Sequence, residues 1–211
     1  MSFFSVVLYY LFKIFKPAFL FQNKKYFYFV HKYNRTWRDE RAVEIPLFLS
    51  KLLDYKGKKI LEVGNVLQNY TSFPHDIVDK YEKAEGVINE DIAYFKSSKK
   101  YDLILSISTL EHVGIDETPK EPEKSLLAIN NLVGNCLSPQ GELLVSFPVG
   151  YNKTLDELIA KNTEFFTEKY FLKRFSVFNF WKQVSWEEVK DSKYSYPFPC
   201  ANGLFIGVFK K

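Results

Sequence analysis

The stretch KKILEVG at residues 58–64 most narrowly limits what this chain can fold into. Ile60, Leu61 and Val63 suit a strand buried on both faces, Glu62 stands near its carboxyl end, and Gly64 lets the backbone turn sharply toward a following helix. In open α/β sheets, ligands bind beyond the carboxyl ends of the strands, where loops present N–H groups and strand ends present acids. The loop continues Asn65-Val66-Leu67-Gln68, so it has one glycine where a phosphate cradle needs several.

Two further apolar runs finish in the same way. Residues 76–78 lead into Asp79, and residues 84–88 into Asn89, Glu90 and Asp91. Residues 103–107, within YDLILSISTLEHVG, form the clearest strand and are followed by Ser108, Thr109, Glu111 and His112. A loop with Pro119 and Pro122, a helix over 125–137, a turn at Ser138-Pro139-Gln140-Gly141 and a strand over 142–147 come next. Strands alternating with helices predict an α/β fold: a Rossmann-like, doubly wound, mostly parallel sheet. The tail reads as a helix over 163–175 and strands over 176–184 and 204–209, an antiparallel strand pair added at one end of the sheet.

The N-terminal residues are of another kind. Residues 3–21, FFSVVLYYLFKIFKPAFLF, hold an apolar run of about half the roughly twenty residues needed to span a bilayer. They suit a segment lying in a headgroup region, with Lys13 and Lys16 snorkelling, or an ordinary helix packed on its own domain or on a second copy in a homodimer. Net charge is +4. Residues 1–56 carry ten Lys/Arg against four Asp/Glu, or +6, and residues 57–211 carry nineteen against twenty-one, or −2. The boundary is drawn there: an aromatic, basic arm and helix over 1–56, and the sheet domain over 57–211. Within the arm, Thr36 can cap a helix whose charged face (Arg38, Asp39, Glu40, Arg41, Glu44) ends before Pro46 or kinks at it. No nucleic-acid motif accompanies the basic residues, so nucleic acid is disfavoured as a partner. Cys136 and Cys200 lack metal-ligand spacing and read as free thiols, which favours a cytoplasmic location, peripheral on the inner face of a membrane if residues 3–25 meet lipid.

Taken in order, ILEVG, YDLILSISTLEHV and LSPQGELLVSFPVG resemble the class I S-adenosylmethionine-dependent methyltransferase family over residues 58–211. STLEHVGIDETPKEPEK is similar to an uncharacterised branch of it, some members of which are linked to surface-polysaccharide functions. The resemblance implies S-adenosylmethionine as cofactor and a last strand running antiparallel between its neighbours. It assigns Glu62 and Gly64, with Asn65 in the same loop, to the methionine side of the cofactor. Asp79 would take the ribose hydroxyls, an acceptor-only carboxylate suiting a vicinal diol. Asp91 and Ile92 would read the adenine edge, and a backbone carbonyl among Ser106, Ile107 and Ser108 would face the amine. Arg41 is the candidate for the carboxylate. The family has glycines where this chain has Val66 and Gln68, whose side chains would crowd the ligand.

Methyl transfer to a hydroxyl also wants a general base, and His112 after the fourth strand is the candidate, with Glu111 to orient it or act instead. No metal cluster or serine-histidine-acid order is present. The leading expectation is O-methylation of a sugar or lipid-linked glycan near a membrane surface. Its rivals are a binding or scaffold protein of the same fold that has lost the cofactor, and an NAD-dependent oxidoreductase, which would need the glycine-rich turn even more.

Overall fold

The computed structural model describes residues 3–161 and 164–211. Helix α1 (Phe3–Phe15) leads into a hairpin, β1 (Ala18–Phe21) and β2 (Lys24–Phe27), and then into helix α2 (Arg41–Asp54). The main sheet begins with β3 (Ile60–Val63), β4 (Asp76–Val78), β5 (Val87–Ile88) and β6 (Tyr101–Ile107). Helix α3 (Lys124–Asn131) crosses over to β7 (Leu137–Pro148), and α4 (Lys153–Ala160), β8 (Glu168–Arg174), β9 (Trp181–Val184), α5 (Trp186–Val189) and β10 (Gly203–Lys210) follow.

The eight strands β3 to β10 form one sheet in the order β5-β4-β3-β6-β7-β10-β8-β9. Pairing is parallel from β5 to β7, while β10 runs antiparallel to both β7 and β8. The expected mostly parallel, Rossmann-like α/β sheet is therefore present, with the last strand inserted between two earlier ones. Successive residues of a strand point to opposite faces. Ile60, Leu103, Leu105 and Ile107 pack with α1 and α2 on one face, and Leu61, Val63 and Ile104 with α3 and α4 on the other.

Several local expectations are corrected. The helix expected after Gly64 is a single 3-10 turn, Leu67–Asn69, because the chain reaches β4 within a dozen residues and Pro74 stands in the way. In place of the helix expected over 163–175 the chain turns over residues 164–167 and forms strand β8 over Glu168–Arg174, residue 163 lying outside the described residues. Held between β10 and β9, β8 buries Phe171 on one face and Leu172 on the other, so it shows no polar-apolar alternation. The turn at residues 138–141 stays within β7 as a bulge, since Tyr101 pairs with Leu137 but Leu103 with Glu142. Thr36 caps no helix. Its buried hydroxyl accepts from the His31 N–H (2.8 Å) and donates to the Phe29 carbonyl (3.0 Å). Helix α2 runs straight through Pro46, and the Ala42 carbonyl that loses its helical donor there accepts the Phe29 N–H at 2.8 Å.

The arm is stapled to the sheet edge. Tyr28 packs between Phe12 and Phe19, and its hydroxyl accepts the Trp181 N–H of β9 at 2.8 Å. Tyr28→Phe leaves that buried N–H without its acceptor and is expected to cost about 1–3 kcal/mol in a urea denaturation series.

A buried pair holds the Gly64 loop. Glu62 Oε1 accepts the N–H groups of Val66 (3.0 Å) and Leu67 (2.7 Å), and Oε2 meets His75 Nε2 at 2.6 Å. Burial acts to lower the His75 pKa, but the hydrogen bond and charge of Glu62 outweigh it and the value is raised. The stabilisation is then complete below about pH 6.5, the unfolded histidine value, and is lost as pH rises through the raised folded value. His75→Gln is expected to cost about 3 kcal/mol near pH 6. The same denaturation series repeated up to about pH 9 is expected to show that cost shrinking.

Candidate functional site

The carboxyl ends of β3, β4 and β6 border a cleft of about 540 Å³. Its floor is apolar (Val63, Val78, Ile92, Val113), and Asp79, Glu90 and Asp91 stand on its walls. A volume of this size suits a nucleoside-sized ligand. A second cavity of about 690 Å³ lies under the arm, lined by Lys32, Asn34 and Arg35 on one side and by Glu111, Tyr151 and Tyr194 on another. Ser108 and His112 line both cavities and so stand in the wall between them. A smaller cavity of about 200 Å³ touches Gly64, Asn65, Asp79 and Arg41.

Gly64 sits at φ +85°, and a Cβ there would lie 2.2 Å from Thr109 Oγ1. The position therefore needs glycine twice over, for its backbone and for the closeness of the β6 loop. Glu62 is fully buried and lines none of these cavities. Its carboxylate shapes the loop from beneath. Asn65 Nδ2 donates to Glu82 Oε1 at 2.8 Å, while its buried Oδ1 has no partner among the described residues and the side chain lines the smallest cavity. Asp79 Oδ1 accepts the N–H groups of Tyr81 (2.8 Å) and Glu82 (2.7 Å), and Oδ2 has only a long contact of 3.4 Å from Asn65 N. One oxygen is thus held in place and the other is available at the cleft. Gln68 lines neither the cleft nor the small cavity. Its amide donates to the Glu85 carbonyl at 3.1 Å. Val66 leans on the core cluster of the α2 face and borders only the smallest cavity.

Asp91 is more committed than the sequence indicates. Its Oδ2 pairs with Lys80 (2.9 Å) and Lys124 (2.6 Å), which also share Glu117 at 2.9 and 2.5 Å. Burial raises its pKa, but the two lysines outweigh that and hold the carboxyl below its ordinary value. Ile92 contributes its side chain to the cleft floor. Ser106 is buried within β6 and lines neither the cleft nor the second cavity. The carbonyl expected to face an amine is already engaged, because Ile107 O accepts Arg41 Nη1 and Thr109 Oγ1, each at 3.1 Å, and Ser108 O accepts Arg41 Nη2 at 3.5 Å.

Of the charged face expected before Pro46, Arg41 and Glu44 lie on α2 and point inward. Glu44 is fully buried and its carboxylate accepts Ser108 Oγ and Ser146 Oγ, each at 2.6 Å, and Arg41 Nη1 at 2.7 Å. Arg41 is thereby fixed against the end of β6, with its flank lining the second and smallest cavities. Burial acts to lower its pKa, but Glu44 and the neighbouring acids outweigh it and the guanidinium stays charged. Burial pushes the Asp39, Glu40 and Glu111 carboxyls up, and Glu111 Oε2 has no partner among the described residues. Burial also pushes the Cys200 thiol in this cavity up to about 11, so it is not a thiolate nucleophile at neutral pH.

His112 is oriented, and by residues the sequence did not single out. Its Nδ1 lies 2.5 Å from Asp116 Oδ2, and the Tyr151 hydroxyl is 3.0 Å from the same nitrogen and donates to Asp116 Oδ2 at 2.7 Å. Glu111 Oε1 is 3.7 Å from Nε2, too far for a hydrogen bond, so the orienting carboxylate is Asp116. Burial acts to raise the Asp116 pKa, but Tyr151 and His112 outweigh it and hold the carboxylate ionised. With the Nδ1 proton held by Asp116, Nε2 is left as the basic nitrogen. The i,i+4 spacing of His112 and Asp116 was the one sequence signal for this pair.

No known family model matches the chain, and no curated protein matches it. Solved structures do resemble it. The N-methyltransferase NodS from Bradyrhizobium japonicum WM9, in complex with S-adenosyl-l-homocysteine, is 14% identical, over 77% of this chain and 84% of its own, with a TM-score of 0.48. A SAM-dependent methyltransferase from Archaeoglobus fulgidus is 15% identical over 78% and 92%, with a TM-score of 0.46. A TehB-like SAM-dependent methyltransferase from Corynebacterium glutamicum ATCC 13032 Kitasato is 19% identical over 77% and 86%, with a TM-score of 0.41. At such identities the functional reading rests on this chain's own strand order and cavities.

Proposed function

We propose that this protein is an S-adenosylmethionine-dependent methyltransferase that methylates a hydroxyl oxygen of a sugar or lipid-linked glycan. The observation that carries the proposal is the position of His112 in the wall shared by two cavities, with one ring nitrogen tied to Asp116 and the other left basic. The cleft residues fit the cofactor. Asp79 Oδ2 suits the ribose hydroxyls and the apolar floor suits adenine, while Asn65 and Arg41 border the adjoining small cavity, on the side where the methionine end would lie.

Bound in the cleft, the cofactor would supply an electrophilic methyl group on a sulfonium. The acceptor hydroxyl would enter from the second cavity, where Tyr151, Tyr194 and the arm residues Asn34 and Arg35 offer hydrogen-bond partners to a polyol. His112 would take the hydroxyl proton on Nε2, and Asp116 would stabilise the resulting imidazolium through Nδ1–H. Seating in the two adjoining cavities would hold donor and acceptor in line, and such positioning contributes up to about 7–11 kcal/mol.

An oxidoreductase using a dinucleotide is less well supported. The N–H groups of Val66 and Leu67, which would cradle a pyrophosphate, are already donated to Glu62. A scaffold that has lost the cofactor is disfavoured by Gln68, which is turned away toward Glu85.

Calorimetric titration with S-adenosylhomocysteine is expected to show binding in the micromolar range, weakened at least tenfold by Asp79→Ala, and no binding of NAD. Absence of S-adenosylhomocysteine binding by a folded sample would overturn the proposal. With a glycan acceptor found by screening, His112→Gln is expected to lower kcat about 10²- to 10⁴-fold while leaving S-adenosylhomocysteine affinity unchanged. Equal losses in both quantities would place His112 in ligand binding instead.

A further inference from the structure

We infer that the outer face of α1 and of the β1–β2 hairpin is a docking surface for an anionic lipid bilayer. Helix α1 carries two apolar stripes. Leu8, Tyr9 and Phe12 recur at helical spacing and, with the polar Ser5 one turn earlier, are buried against the domain. Val7, Tyr10, Leu11 and Ile14 recur at the same spacing on the opposite side and are exposed. A helix apolar all round normally has something covering both sides. The outer stripe continues into Phe15, which is 71% exposed beside Ile14 at 70%.

The hairpin repeats the pattern. Phe19 and Phe21 face inward, and the register Ala18↔Phe27 and Leu20↔Lys25 places Leu20, Phe27 and Lys25 together on the other face. Leu20 is 63% exposed and Phe27 56%. The inner faces of helix and hairpin meet on the Tyr28 ring, 5.4 Å from Phe12 and 5.1 Å from Phe19, which leaves both outer faces turned away from the core.

Charge selects the occupant. Residues 1–38 hold seven Lys/Arg and no Asp/Glu, the first acid being Asp39. Lys13 and Lys25 lie over the rings of Tyr9 and Phe27 at 5.1 and 5.5 Å, at the edge of the apolar surface. Large apolar side chains projecting outward, rimmed by cations and free of acids, match a layer with an apolar interior and anionic headgroups. No described helix is long and apolar enough to cross a membrane, so α1 would lie in the interface rather than span it. The docking surface is independent of the methyl-transfer proposal.

The test is co-sedimentation of the 211-residue chain with vesicles of phosphatidylcholine and of phosphatidylcholine mixed with phosphatidylglycerol, at low and high salt. The expected result is binding to the mixed vesicles, weakened by salt, and weakened at least tenfold by the double variant Ile14→Glu/Phe15→Glu. Lys13→Gln and Lys25→Gln are expected to reduce it about fivefold each. Both apolar side chains are mostly exposed, so an unchanged melting temperature and unchanged S-adenosylhomocysteine titration behaviour report that the variants remain folded. Absence of binding to the mixed vesicles, or equal binding of wild type and double variant, would overturn the inference. So would a wild-type dimer in light scattering that Ile14→Glu dissociates without any vesicle binding, since the surface would then belong to a second copy. Failure of the wild-type protein to bind the mixed vesicles while it still binds S-adenosylhomocysteine would count against the docking surface alone.

Discussion

The Glu44 carboxylate is the interaction on which the geometry of the site depends. It is wholly buried, and each of its oxygens is satisfied: one by Ser108 and Ser146 at the ends of two strands, the other by Arg41 one helical turn back. A buried carboxylate so surrounded gains little net stability over an apolar substitute, because desolvation offsets most of the attraction. What it gives is position. The bonds from Ser108 and Ser146 allow only one placement of α2 over β6 and β7, and that placement sets Arg41 against Ile107 O and closes one side of the second cavity. Removing either partner would strand a charge where water cannot reach it, so the arrangement is kept by the cost of leaving it.

The buried parallel strands of this fold and the helix over 125–137 were readable in the sequence, whereas the course of α2 through Pro46 and the strand β8 were not. A parallel strand buried on both faces must be apolar along its length, and ILEV and the run 103–107 announce that directly. What α2 does at Pro46 depends on Phe29, which donates from another part of the chain to the carbonyl that proline leaves bare. Nothing within the helix indicates that rescue. Strand β8 failed in the opposite direction: EKYFLKR has helix-forming residues and no alternation, and only its place between two other strands decides its conformation.

The site residues divide along the same line. Gly64, Asp79, Asp91 and Ile92 could be placed on the cleft because strand ends and turns are local features. The duties of Glu62 and Glu44 could not, since each is defined by a partner distant in sequence and by burial that a charged residue does not advertise, and that of Asp116 showed only as its i,i+4 spacing from His112. Glu62 reads as a ligand-facing acid, yet both of its oxygens are spent on the loop and on His75. Asp116 reads as loop, yet it fixes which nitrogen of His112 carries the proton.

The distribution of charge links these features to ligand choice. Acids are absent from the first thirty-eight residues and then gather around the cavities, where Asp39, Glu40 and Glu111 are pushed toward their neutral forms by burial. Beside these acids the second cavity carries Lys32, Asn34, Arg35, Tyr151 and Tyr194, so it presents hydrogen-bond donors as well as acceptors. The cleft is different, because Asp91 and Glu117 are held ionised by Lys80 and Lys124 and Asp79 keeps one oxygen open. An anionic group entering the cleft would meet acids and a loop whose N–H groups are already spent, whereas a ligand with a cationic centre and free hydroxyls meets acceptors. The two cavities thus favour different chemistry on either side of His112, an acceptor-rich face and one that mixes donors with acceptors, and a proton taken up on Nε2 would leave the imidazolium balanced by Asp116 behind it.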